Sequence, residues 1–298
     1  MKHIKFCFLF GPGSCGIDLF LSLLDGHKEV VAFPFTVKLY HLFNESYYKI
    51  NFEELIKIIE ENTRLKYLKD GKIDPSLSNE ECHTSYDHNI FCKELKKLFP
   101  KKTSISRRKL IEIIYVSYAL AIKKNLDSLK YFVIDATYKD FLKKIDSDFK
   151  EYKSIYLLRD PRDQLLSLLK LHQKRNYSLY KNMKKNFLLD TIFSQKENYY
   201  LLEKLQNINY FNLLIKFENL KKNPIITMKK VAEFLKIDFI EEIKEPTIFG
   251  KKKQFISSFS KKPISGIGKD NTSRFLIHFN KFQIMQSEFI FLYYINKF

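Results

Sequence analysis

The sequence predicts an α/β fold: a P-loop-like, three-layer arrangement in which a central parallel sheet is flanked by helices and interrupted by a helical insertion. Three observations predict it. Short apolar runs ending in turn residues alternate with segments of helical spacing, near the start and again through the second half of the chain. Between these two regions, about 47–129 reads as mostly helical. The first apolar run feeds a glycine loop and then a helix, the order of a phosphate-binding turn.

Taken in order, Ile4 to Phe10 reads as a core strand. It is too short to span a bilayer and lacks a small-residue cleavage site, so no signal peptide and a cytoplasmic location are expected. Gly11-Pro12-Gly13-Ser14-Cys15-Gly16-Ile17-Asp18 follows, with Gly11 and Gly16 at P-loop spacing. Leu19, Phe20, Leu23 and Leu24 then recur at helical spacing. Asp25-Gly26-His27 stops that helix, with Gly26 expected in the left-handed conformation. Val30, Val31 and Phe33 read as a strand ending at Pro34.

Within the insertion, Phe52, Leu55, Ile58 and Ile59 share one helix face, and Leu110 to Ile122 is a second apolar helix. Asp70 to His88 is polar and turn-rich, an expected exposed excursion. Alternation then resumes: strands at Tyr131–Ile134, Ser154–Leu158 and Phe211–Ile215, with helices at Tyr138–Ile145, Pro161–His172 and Ile225–Leu235. Pro246 to Arg274 has little periodicity and reads as a long functional or disordered loop. A last apolar-rich helix is expected near Ile284 to Ile295. The whole of 1–298 reads as one domain.

Composition limits the chemistry. The chain has 298 residues, with 52 Lys plus Arg against 34 Asp plus Glu, a formal charge of +18 that attracts phosphate, sulfate or other polyanions. Abundant Lys, Asn, Ile, Phe and Tyr are also what an AT-rich genome produces. Cys7, Cys15, Cys82 and Cys92 show no C-x-x-C spacing, so neither a zinc site nor a disulfide framework is expected, and no metal.

Two stretches carry anion chemistry. Backbone N–H groups at a helix start bind anions without a special side chain, which suits GPGSCGID. A triphosphate loop adds Lys and Ser or Thr after its second glycine, where this chain has Ile17 and Asp18, so ATP hydrolysis is disfavoured. In KSIYLLRDPRDQLLSLLK, Arg159 sits at the carboxyl end of a strand, Asp160 and Pro161 start a helix, and Ser167 lies two turns on. An arginine fork with a hydroxyl suits a terminal phosphate. Read only as a helix cap, the same motif would leave Arg162 and Asp163 as surface charges.

Together these residues resemble the sulfotransferases that use 3′-phosphoadenosine 5′-phosphosulfate. The resemblance rests on the glycine loop, Leu19-Phe20-x-x-Leu23-Leu24-Asp25-x-His27, and R-D-P-R-D with Ser167 eight residues after Arg159. Ile215-Lys216-Phe217-Glu218-Asn219-Leu220 with Pro224 and Phe234-Leu235 adds to it, as do Pro246-Thr247, Gly250-Lys251 and Ser257, which resemble a late loop of bacterial members. It implies that the loop Gly11 to Leu19 holds the 5′-phosphosulfate, and that Arg159 and Ser167 bind the 3′-phosphate. Phe217 would lie near the adenine, or serve as a core residue, and Ser265, Gly266 and Lys269 would close over the nucleotide.

The chain departs from that family where catalysis needs charge. Ser14 stands where members carry Lys or Arg, Cys15 replaces Ser, and Ile17 and Asp18 replace a Thr pair. Phe35 replaces an acid and Ala136 precedes Thr137 in place of Lys. Lys38, His41 and Lys139 are candidate substitute groups, and Asp18, His41 and Asp135 are candidate bases. Asp18, in the first helical turn, would compete with a bound anion for the same amides. The resemblance implies transfer of a sulfuryl group to a hydroxyl or amine of a carbohydrate or small metabolite. The alternatives are a catalytically degenerate nucleotide or polyanion binder, a kinase-like enzyme and, on charge alone, a nucleic-acid binder.

Overall fold

The structure, a computed structural model, describes residues 4–63, 86–100, 104–136, 141–174, 212–252, 254–255, 264–267 and 272–288. Its centre is a sheet of β1 (Lys5–Phe10), β2 (Val30–Ala32), β3 (Tyr131–Asp135), β4 (Lys153–Leu158) and β5 (Asn212–Lys216), ordered β2-β3-β1-β4-β5. All neighbours run parallel, with Leu9 opposite Asp135 on one side and Ile155 on the other. From Phe6 onward β1 is buried on both faces, which is why it reads as one continuous apolar run.

Strand alternation separates two cores. Phe6, Phe8 and Phe10 pack with the helices α5 (Arg107–Ala121), α6 (Phe141–Asp148) and α7 (Pro161–Lys174). Cys7 and Leu9 face the other way, toward α1 (Ile17–Asp25), α8 (Phe217–Lys222) and α9 (Pro224–Leu235). The sheet is thus the middle of three layers, as the sequence predicts.

Several local expectations are corrected. Gly26 is right-handed, at φ −72°; a Cβ there would lie 3.3 Å from Thr247 Oγ1, so a close approach, not a left-handed turn, explains the glycine. The helix expected at Tyr138 is described from Phe141 to Asp148; 137–140 lie outside the described residues. The helix of the Leu110 run starts at Arg107, capped by the Ser106 hydroxyl accepting from Lys109 N.

α2 (Leu39–Leu42) precedes the insertion, which holds α3 (Phe52–Asn62) and α4 (His88–Leu98) before α5, plus a small antiparallel pair, Tyr47–Tyr48 with Ile105–Ser106, that period-based reading missed. Of the polar excursion only its end is described, and there Asp87 caps α4. Pro246 to Arg274 is not featureless: Thr247–Ile248 pairs with Lys251–Lys252, and Gln254–Phe255 with Ile264–Ser265. A short helix α10 (Phe275–His278) and a helix over 281–288 follow.

Arg107, only 1% exposed, ties the insertion to α6, a helix that covers the sheet. Its Nε donates to Asp148 Oδ2 at 2.6 Å, and Nη1 donates to the Asn44 carbonyl at 2.8 Å. A fully desolvated guanidinium is tolerable only because these acceptors surround it.

Candidate functional site

Strand order locates the site. The chain leaves β1 through α1 toward β2, at one edge, and leaves β4 through α7 on the way to β5, at the other. The connections after these adjacent strands diverge, opening a crevice at their carboxyl ends. The glycine loop follows β1 and Arg159 follows β4, so the two predicted anion sites are neighbours.

The loop is shaped by steric need. A Cβ on Gly11 would lie 2.6 Å from Cys15 Sγ and 2.8 Å from the Leu157 carbonyl. Gly16, at φ +97°, faces the Phe217 ring, which a Cβ would meet at 2.4 Å. Ser14 is also left-handed, at φ 63°. Pro12 accepts from Cys15 N at 3.3 Å. Cys15 is fully buried, and burial pushes its thiol up to about 12, leaving it protonated and inert. Ile17 opens α1, whose first-turn amides face the crevice end of the helix.

Arg159 reaches the loop directly: Nη1 donates to the Ser14 carbonyl at 3.0 Å. Its guanidinium lies 4.8 Å from the Phe217 ring centroid. Burial lowers its pKa, while Asp163, Glu218 and Asp160 oppose that shift, and an arginine stays charged throughout. Gln164, absent from the expected set, donates from Nε2 to the Gly13 carbonyl at 2.6 Å. Ser167 is buried further along α7. Phe217 is therefore a buried ring wedged between Gly16 and Arg159.

The cap expectation holds and its surface-charge version does not. Asp160 Oδ1 accepts from Arg162 N at 2.9 Å, while Glu218 Oε1 accepts from Asp160 N. Arg162 is half-buried between Asp160 and Glu288. Asp163 is 1% exposed, and its two oxygens accept from Phe275 N, at 3.0 Å, and from Ser273 N.

The candidate bases gather on one loop. Asp18 Oδ1 accepts from Thr36 N at 2.8 Å, and Asp135 accepts from Val37 N at 3.1 Å and Lys38 N at 3.0 Å. Burial pushes the Asp135 carboxyl up to about 6, with the Asp18 charge adding to the rise and the two backbone amides opposing it. Asp18 is the more exposed of the pair. His41 belongs to α2, immediately after this loop; its side chain and all of Lys139 lie outside the described residues. Lys38 is exposed and left-handed.

The segment expected to close over a ligand is held at its ends. Asp25 Oδ2 accepts from Thr247 Oγ1 at 2.9 Å and from Gly250 N at 2.8 Å. Asp163 holds the far end through Ser273 and Phe275. Between them, Gly266 turns at φ 67°, and the Ile267 carbonyl accepts from Lys221 Nζ, itself 5.8 Å from the Phe217 centroid. Ser265 is described only as backbone, in its short strand, and Lys269 lies outside the described residues. Gln164 and Asp163 belong to the RDPRDQ motif, and Asp25 and Glu218 to the other two quoted motifs, but the partner each one binds appears only in the tertiary structure.

Comparison with known proteins shows the family and the fold. Residues 38–278 match the family described as the sulfotransferase domain, a span that includes Arg159 and Ser167 and begins after the glycine loop. The fold is similar to the sulfotransferase domain from the Synechococcus PCC 7002 olefin synthase, at TM-score 0.57 and 13% identity, covering 98% of this chain and 97% of that one. It is equally similar to the sulfotransferase domain from the curacin biosynthetic pathway, at TM-score 0.56 and 13% identity, covering 97% of each. No curated protein sequence matches the chain.

Proposed function

Because the chain belongs to the sulfotransferase domain family, we propose that it transfers a sulfuryl group from 3′-phosphoadenosine 5′-phosphosulfate to a hydroxyl or amine of a carbohydrate or small metabolite. One observation carries this reading: the Arg159 guanidinium meets the glycine loop at the carboxyl ends of adjacent strands. That places a fixed cation beside a helix N-terminus, which suits a ligand bearing two separate anionic groups.

In this reading the amides of Gly11 to Leu19, with Pro12 and Gly13 shaping the turn, receive the phosphosulfate. Arg159 and Ser167 hold the 3′-phosphate, and Phe217 supports both by packing against Gly16. Ser265, Gly266 and Lys269 close the nucleotide side. Asp18 serves as the base, since it is more exposed than Asp135 and sits on the helix turn nearest the transferring group; Asp135 positions residues 37–38, which precede His41. The acceptor O–H or N–H gives its proton to Asp18 as the acceptor atom bonds to sulfur. The bond from sulfur to the bridging oxygen breaks, and adenosine 3′,5′-bisphosphate leaves with the electron pair.

A second reading, a binder without turnover, is favoured by Ser14. Its carbonyl is engaged by Arg159 and its side chain carries no charge, at the position where the resembling family places the cation for the leaving oxygen. Radiolabelled donor incubated with a panel of sugars and small alcohols or amines separates the two. Sulfated product supports the enzyme, and binding without product supports the second reading. Ser14→Lys should raise turnover under the second reading.

A further inference from the structure

Away from this crevice, three chemically distinct side chains converge between two helices of the insertion. Glu60 lies near the end of α3, and His88 and Cys92, four residues apart, share one face of α4. His88 Nε2 is 3.1 Å from Glu60 Oε1 and 3.3 Å from Cys92 Sγ, and one ligand atom from each residue lies within 4.8 Å of the other two. From these atoms we propose a divalent transition-metal site of the zinc class, with Glu60, His88 and Cys92 as protein ligands.

His88 Nε2 faces both a carboxylate oxygen and a sulfur, so a single ion can be shared by all three side chains. Ligands bound to tetrahedral zinc at their usual bond lengths sit roughly 3.3–3.6 Å apart; the 3.1 and 3.3 Å spacings from His88 are within a few tenths of an ångström of that, and the Glu60–Cys92 pair lies within 4.8 Å. Carboxylate, imidazole and thiolate are a donor set that such an ion accepts, whereas calcium and magnesium take oxygen.

A second, independent observation is the other ring nitrogen. Tyr86 Oη lies 3.2 Å from His88 Nδ1; with an ion on Nε2, the proton would sit on Nδ1 and Tyr86 Oη would accept it. Tyr86 is itself buried and stacks on Phe249, at a ring distance of 5.6 Å, in the hairpin that Asp25 holds. The ion therefore clamps α3 to α4 and steadies the start of the closing segment. Three protein ligands leave a fourth position for water. This site is independent of the sulfuryl-transfer reading.

Cobalt(II) titration of the chelator-stripped full-length protein tests the proposal, because cobalt reports thiolate ligation in its near-ultraviolet charge-transfer band and tetrahedral geometry in its visible bands. One equivalent should give both signals, and zinc should abolish them. Cys92→Ser, nearly isosteric, should lose the charge-transfer band while keeping the far-ultraviolet circular dichroism of the parent. Tyr86→Phe should keep the band and weaken affinity by about 10–100-fold. Absence of the band in the parent, its persistence in Cys92→Ser, or its loss in Cys82→Ser would each overturn the assignment.

Discussion

Single residues in the crevice show which sequence signals carried physical weight. The glycines of the loop differ in kind. Gly16 combines φ +97° with the Phe217 ring at 2.4 Å from any Cβ, whereas a Cβ on Gly13 meets only Leu168 Cδ2, at an ordinary 3.9 Å. Gly16→Ala is expected to destabilise the protein by about 1–3 kcal/mol in urea unfolding, with Gly13→Ala costing well under that. Equal effects at both positions would contradict this geometry. Asp135 supplies a pH test. Its folded carboxyl titrates at about 6 against an ordinary 3.8, so its proton favours the folded state. That stabilisation is full below the unfolded value and is lost as pH rises through about 6. Carbon-13 titration of the Asp135 carboxyl should show a midpoint near 6, and one below 4 would contradict the burial argument.

Among the elements, the strands were legible and the connections were not. β1, β3 and β4 announce themselves as apolar runs because both of their faces are buried; β5, half-exposed at the sheet edge, was found from its apolar residues alone. The late segment was misread as irregular because two-residue strands carry no measurable period, and its order comes from two distant carboxylates, Asp25 and Asp163. Read only as part of a helix cap, Asp163 would be a surface charge; the arrival of Ser273 and Phe275 over it explains its burial. Asp163→Ala removes two acceptors for backbone amides, each worth about 1.5–3 kcal/mol to a charged partner. Hydrogen exchange at Ser273 and Phe275 should accelerate markedly in this variant while β1 amides stay protected. Unchanged exchange at those two amides would show that the segment is held by something else.

For the whole molecule, the sequence offered two motifs 145 residues apart that the strand order brings side by side in one crevice. What it left open was catalytic charge, because no local pattern shows that Asp18 and Asp135 converge on residues 36–38. The insertion is fastened to this frame by Arg107, buried among Asp148 and two carbonyl groups of residues 44–45. Asp148→Ala would strand that charge and is expected to destabilise the protein by about 3–5 kcal/mol in chemical unfolding. A loss below 1 kcal/mol, on the order of an exposed ion pair, would show that Arg107 is solvated. The claim on which the function depends is that the loop and Arg159 form one site for a nucleoside carrying a 3′-phosphate. Calorimetric titration with adenosine 3′,5′-bisphosphate and with AMP tests it most directly. The account predicts that the bisphosphate binds more tightly than AMP by about 1.5–3 kcal/mol and that Arg159→Ala removes the difference. Equal affinity for the two nucleotides in the parent protein would contradict it.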